Sequence, residues 1–132
     1  MKRRAISPWT WQDQFGFVQA NEIQGAQRFL IVSGQTSINA DGQVAAAGNL
    51  VGQLAAALDN LETVLQQAGM DLTNLVRLNF YTTDMDRFLS EAHTVLAERL
   101  VGVEYATTYL GVTRLALPDL LVEIEATAVA DE

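Results

Sequence analysis

Apolar residues recur along the chain with two different periods, and the changes of period mark out the elements. From Leu50 to Ala68, Leu50, Leu54, Ala57, Leu58, Leu61, Val64, Leu65 and Ala68 fall on one helical stripe. Gln53, Asn60, Gln66 and Gln67 fall elsewhere, so this is a one-sided helix, and Gly69 stands where a helix-ending glycine belongs. Upstream, Phe15–Ala20 alternates as a short strand does, and the β-branched run Arg28–Ser33, bounded by Gly34, has the pattern of a well-buried strand. Their spacing suits a hairpin. Turns are marked by Asp41-Gly42 and Gly48-Asn49. Downstream, residues 74–83 alternate, with Val76, Leu78 and Phe80 on one side and Arg77, Asn79 and Tyr81 on the other. Asp84 or Asp86 is placed to cap a second helix over 87–100, ended by Gly102. Residues 105–115 and 121–129 read as two last strands, split by a turn at Pro118-Asp119.

The predicted order is ββαβαββ: an α+β domain over residues 1–132, with a single mixed sheet and two helices on one face. Residues 1–14 read as an extended arm docked by Trp9 and Trp11, its basic tip (Lys2, Arg3, Arg4) frayed. Two helices cover only one face of the sheet. In the last strand Val122, Ile124, Ala126 and Ala128 point under them, and Glu123, Glu125 and Thr127 point away. In the preceding strand Tyr105, Thr107 and Tyr109 share a side assigned here to the helix-free face. Such a mixture of aromatic, hydroxyl and acidic residues predicts a face covered by further copies of the chain, with a polar cleft between subunits.

Composition removes several functions. The chain has 132 residues, 49% hydrophobic and 18% charged, a globular balance. It has no cysteine, which excludes disulfides, thiolate metal sites and cysteine nucleophiles. His93 is the only histidine, so multi-histidine metal sites are excluded, and Lys2, the only lysine, is terminal and unsuited to Schiff-base chemistry. Sixteen acids face eight bases, a net charge of −8; beyond Arg4 only five bases remain against all sixteen acids. That balance disfavours nucleic acid, whose binding depends on neutralising phosphates. No apolar run is long enough to span a membrane, and no apolar segment follows Lys2-Arg3-Arg4 to make a secretory signal. The expectation is a cytoplasmic protein without metal or cofactor.

The residues that carry identity are Val32-Ser33-Gly34-Gln35 at the end of a strand and the Leu/Gln-rich helix closing on Ala68-Gly69. With them go Asp84 before the second helix, Leu117-Pro118, and Val122-Glu123-Ile124-Glu125-Ala126. Together they resemble the RidA (YjgF) family across nearly the whole chain. The resemblance implies a fold related to chorismate mutase, a homotrimer with three ligand clefts at its interfaces, and cofactor-free hydrolysis of reactive enamines and imines to keto acids and ammonia. An older label for such proteins is endoribonuclease. Carried over by position, Glu123 is the residue that orients the attacking water, and Ser33 matches the family's serine. Phe17 replaces a tyrosine, Tyr109 a frequent cysteine and Ala92 an asparagine. Thr107 stands where deaminase members hold the substrate carboxylate with an arginine; a one-residue shift brings Thr108 there, and neither is basic.

A hydroxyl offers no charge and no fork for a carboxylate. The implied ligand is therefore a neutral or cationic small molecule, or an imine without an adjacent carboxylate. A non-catalytic metabolite-binding trimer is the alternative. Taken without the resemblance, each candidate has a plainer reading. Glu123 and Glu125, about 7 Å apart on one strand face, serve as solvated rim residues, and Ser33 satisfies a backbone group. His93 is a structural or surface residue, and Tyr105 and Tyr109 pack between subunits. Arg77 and Arg114 either replace the missing cation or pair with an acid across a strand.

Overall fold

The stripe that begins at Leu50 is realised as helix α1 (Leu50–Gln67) in a computed structural model that describes residues 1–132. The Asn49 side chain caps its first turn by accepting from the Gly52 N–H at 2.9 Å. Gly69, at φ +69°, ends it in the left-handed region. Leu50, Leu54, Leu58, Leu61 and Leu65 are wholly buried, each contributing roughly 1.5–3 kcal/mol of apolar burial.

This stripe packs on a four-stranded sheet of order β3-β6-β4-β5, formed by β3 (Arg28–Gln35), β4 (Leu75–Thr82), β5 (Tyr109–Gly111) and β6 (Val122–Ala130). Strand β6 runs antiparallel to both neighbours, and β5 runs parallel to β4. The α+β architecture is as the pattern predicts, with Val122, Ile124, Ala126, Ala128, Leu78 and Phe80 buried under the helices. The second helical stretch begins early and is broken. The Asp84 side chain caps α2 (Met85–Glu91) at the Arg87 N–H, and α3 (His93–Arg99) follows an elbow at Ala92. No helix is long and apolar enough to cross a membrane.

Several expectations give way. The anticipated hairpin between residues 15–20 and 28–33 does not form. The strand lies later, as β2 (Ala20–Gln24), and pairs with β1 (Lys2–Ile6) in a separate two-stranded sheet. The basic tip is therefore not frayed. The half-buried Arg3 donates to the carbonyls of Thr73 at 2.8 Å, Leu75 at 2.6 Å, and Glu104, tying β1 to the start of β4 and to the irregular segment that precedes β5. Residues 11–15 form a 3-10 turn ended by Gly16 at φ +80°. The indoles stay largely exposed, Trp9 at 58% and Trp11 at 55%, with only Trp11 meeting Phe17 edge-on, and the buried residue is Gln12, whose amide donates to the Trp9 carbonyl at 2.8 Å.

Strand β3 is not well buried. Val32 faces the core, but Phe29 and Ile31 are 63% and 75% exposed on the opposite face. Gln53, assigned by its polarity to the solvent side, is wholly buried. Its amide donates to the Asp119 carbonyl and accepts from the Leu121 N–H, both at 2.8 Å, fixing the entry into β6.

Candidate functional site

The helix-free face presents rows of side chains set by register. Glu123 lies opposite Tyr81, which lies beside Leu110; Glu125 lies opposite Asn79; and Thr127 links Ile31 to Arg77. Between Val32 and Gln35 strand β3 carries one extra residue, a bulge against Ala126 and Ile124. Gly34 sits in that bulge. A Cβ at this position would come within 1.7 Å of Glu123 Oε2, so the Glu123 carboxylate occupies the space that any side chain at 34 would fill.

Two carboxylates on one strand face thus acquire different surroundings. Glu125 accepts hydrogen bonds from the Tyr81 hydroxyl and, at 3.3 Å, from the Asn79 amide. The hydrogen bond to Glu125, with burial, raises the Tyr81 phenol pKa. The Glu123 carboxylate takes no hydrogen bond within the chain. Burial, and then the charge of Glu125, raise its pKa above the ordinary carboxylate value. One acid is held in place, and its neighbour is left with free lone pairs and increased basicity. Environments that separate two acids in this way are a common basis for acid–base function.

The other candidates divide between the two sides of the sheet. Ser33 is exposed on the bulge near Glu123. Tyr109 is not on the helix-free face: its ring packs edge-on to Phe80 and Phe88, each with centroids at 5.3 Å, beneath α2. Tyr105 is likewise buried on the helix side. Thr107 has their parity, and its hydroxyl donates to the Leu78 carbonyl. Phe17 stacks with Phe15 and meets Trp11 edge-on at 5.9 Å, next to the Val18 N–H that donates to the Tyr105 carbonyl. Ser33 and Glu123 therefore belong to one side of the sheet, and Phe17 and Tyr109 to the other.

Arg77 is not the cross-strand partner of an acid. It faces Thr127, forms none of the ion pairs, and donates to the Thr108 hydroxyl at 3.1 Å. Arg114 reaches only the Leu115 carbonyl. His93 opens α3 at the rim of a cavity of about 530 Å³ that lies between the α2–α3 elbow, the 3-10 turn and the 100–105 segment; Tyr105 and Tyr109 form part of its wall. The residues that sequence reasoning missed are Gly34, Asn79 and Tyr81. Alternation puts Asn79 and Tyr81 on the acids' face, but only the β4–β6 register shows which acid they hold.

A one-sided sheet with a helix layer behind it, a bulge on the edge strand and an acid folded over the bulge glycine defines a small α+β protein of one class. The chain belongs to the RidA/YjgF family: residues 14–130 match the family described as Endoribonuclease L-PSP. It is 33% identical over 119 residues to a RutC family protein of Aquifex aeolicus, covering 86% of this chain and 87% of that one. Against a RutC family protein of Pyrococcus horikoshii the identity is 31% over 103 residues, covering 78% and 80%. Among solved structures, the Rid-family protein of unknown function YyfB from Yersinia pestis superposes with a TM-score of 0.85 at 36% identity, covering 98% of this chain and 100% of that one. Rv2704 from Mycobacterium tuberculosis, of the YjgF/YER057c/UK114 family, superposes with a TM-score of 0.65 at 29% identity, with the same coverage.

Proposed function

We propose that this chain assembles as a homotrimer whose interfacial clefts hydrolyse small imines or enamines that carry no adjacent carboxylate. The observation that carries the reading is the Glu123 carboxylate, laid over Gly34 with no hydrogen bond of its own and a raised pKa. The split of the candidates supports assembly. Ser33 and Glu123 meet Phe17 and Tyr109 in one cleft only if one protomer's outer face abuts the aromatic side of the next. Exposed Phe29 and Ile31 beside the bulge supply apolar surface for that contact.

In the reaction, Glu123 accepts a proton from water as the water oxygen bonds to the iminium carbon. The C=N π pair moves to nitrogen, giving a carbinolamine. The proton passes from Glu123 to that nitrogen, the C–N bond breaks with its electron pair on nitrogen, and Glu123 takes the hydroxyl proton as the carbonyl forms and passes it to the departing ammonia, so that a carbonyl compound and ammonium leave. An iminium carbon is already electrophilic, so oriented water and a base suffice. Specificity follows from position 107: the Thr107 hydroxyl is engaged by the Leu78 carbonyl, and no guanidinium fork stands where the family resemblance puts the carboxylate anchor. The acidic balance of the chain favours such a small-molecule role over RNA cleavage.

The test is ammonia release from imines generated in place by an amine oxidase, compared with freshly formed 2-aminoacrylate. The carboxylate-free imines are expected to be turned over faster, and Glu123→Gln to lower the rate by about 10²–10⁴-fold. No release above the uncatalysed rate with any of these substrates removes the hydrolytic reading and leaves the binding-only trimer.

A further inference from the structure

One arginine is left with neither an acid nor a backbone carbonyl to hold it. Arg4, Arg87 and Arg99 pair with acids, and Arg3, Arg28 and Arg114 donate to carbonyls. Arg77 is exposed and meets only the neutral Thr108 hydroxyl, so most of its N–H donors are free. A bulge places it there. Strand β4 carries an extra residue between Leu75 and Arg77 against β6, so Leu75 and Leu78 are both buried while Val76 and Arg77 together line a second cavity, of about 370 Å³. Ala20, Ile23, Val76 and Ala106 form its apolar wall. Thr127, the register partner of Arg77, adds a half-buried hydroxyl that no protein group engages. The β2 side of the cavity is fixed by Asn21, whose amide donates to the Val76 and Glu104 carbonyls at 2.8 and 2.9 Å. No acid lines this space, although the chain carries sixteen.

A cation in this cavity meets Arg77 and nothing to balance it. A planar carboxylate matches the parallel N–H groups of the guanidinium fork, and the Thr127 hydroxyl supplies a further donor. The apolar wall suits a short hydrocarbon chain, which a bare inorganic oxyanion lacks, and the volume lies at the low end of small-molecule sites. We infer that this cavity is a binding site for a small aliphatic monocarboxylate, held by Arg77 and Thr127. It is separate from the proposed hydrolytic site. Thr127 lies four residues along β6 from Glu123, roughly 13 Å at the rise of a strand, and Arg77 reaches Thr108 on the side of the strand that Thr107 does not face. Glu125 comes between, two residues from Thr127, with its carboxylate turned to Tyr81 and Asn79. A carboxylate held here is out of reach of Glu123, and is therefore a ligand of the chain and not a substrate of that base.

The probe is 3-methylbutanoate, with 3-methylbutanamide as the neutral molecule of the same outline and inorganic phosphate as the anion without a hydrocarbon part. In an NMR titration of the full-length protein, 3-methylbutanoate is expected to shift the amide signals of Val76, Arg77, Ala106 and Thr127, and not those of the Glu123 bulge. Its affinity should exceed that of the amide by at least about 10-fold, and phosphate should displace it only weakly. Arg77→Gln, an exposed change, should weaken binding of the acid by at least about 10-fold and leave the amide unaffected, with Arg77→Lys, which keeps the charge but not the fork, in between. Thr127→Val should cost a few-fold. Absence of saturable shifts in the unmodified protein, equal binding of acid and amide, phosphate competing as an equal, full affinity in Arg77→Gln, or shifts centred on Glu123 each overturns the assignment. The site does not depend on the hydrolytic reading: carboxylate binding without ammonia release removes hydrolysis and keeps this cavity, and ammonia release without carboxylate binding does the reverse.

Discussion

The two faces of the central sheet are built from the same strands and differ in what the alternate residues do. On the covered face, Leu78, Phe80, Val122, Ile124, Ala126 and Ala128 are all buried against α1 and α2. Their contribution is dispersion and removal from water, and it depends on volume. One residue along each strand, Arg77, Asn79, Tyr81, Glu123 and Glu125 form a polar field, flanked on β3 by exposed Phe29 and Ile31. Nothing within the chain requires those two residues to be apolar. The first face is accounted for by folding alone; on the second, exposed Phe29 and Ile31 are what the proposed assembly would cover.

The largest expected effect breaks the comparison along that line. Phe80→Ala removes a ring that touches both Phe88 and Tyr109, at 5.7 and 5.3 Å between centroids, and should cost about 3–5 kcal/mol in urea unfolding. Ile31→Asp should leave the far-UV circular dichroism intact yet move the sedimenting species down to a 14.4 kDa protomer. If Ile31→Asp instead sediments like the parent protein, the outer face of β3 is not an interface and the contrast between the faces is wrong.

The helix-side half of this contrast was legible in the sequence, because local periodicity and burial coincide there. The α1 stripe, the buried side of β6, the Asp84 cap and the Gly69 stop all follow from neighbours within a few residues. What was not legible depends on pairing between distant segments. The alternation of Phe15–Ala20 looks like a strand, but Gly16 turns left-handed there and the partner strand is the basic tip, which reads as solvent-exposed until Arg3 finds three carbonyls more than 60 residues away. Gln53 misleads for a similar reason, since its buried amide is satisfied by a loop 66 residues on. At the site, the resemblance supplies Glu123 and Ser33 as candidates, and the β3–β6 pairing brings their segments together at the bulge. The face occupied by Tyr109 was not legible, because the short parallel β5 takes its orientation from β4: Phe80 and Tyr109 are register partners, and Phe80 is in the core.

A smaller substitution sharpens the polar side. Gly34→Ala introduces a methyl 1.7 Å from where Glu123 Oε2 now lies, while the nearest atoms all belong to that one flexible side chain. The carboxylate can swing aside without moving the strand. Thermal stability is expected to change by less than about 1 kcal/mol, and imine hydrolysis to fall by about 10²-fold through misplacement of the base. A large loss of stability with activity intact shows instead that the glycine serves the bulge and not the acid.

The smallest effect concerns how the two acids influence each other. Glu123 must be ionised to take a proton from water, so its raised pKa sets the acid limb of the rate profile above the ordinary carboxylate range. Burial is the larger cause and Glu125 the lesser. Glu125→Gln keeps an oxygen to accept from Tyr81 and Asn79 but removes the charge, and should move the acid limb to lower pH without bringing it to the value of a free carboxylate. Stability follows with a defined sign. An acid whose pKa is higher folded than unfolded favours the folded state below its unfolded pKa, and that contribution is lost as pH rises through the folded pKa. Urea unfolding across this window should therefore show a step that shrinks in Glu125→Gln and disappears in Glu123→Gln. An acid limb unmoved by Glu125→Gln makes burial over Gly34 the whole cause of the increased basicity, and leaves Glu125 to hold Asn79 and Tyr81 in place.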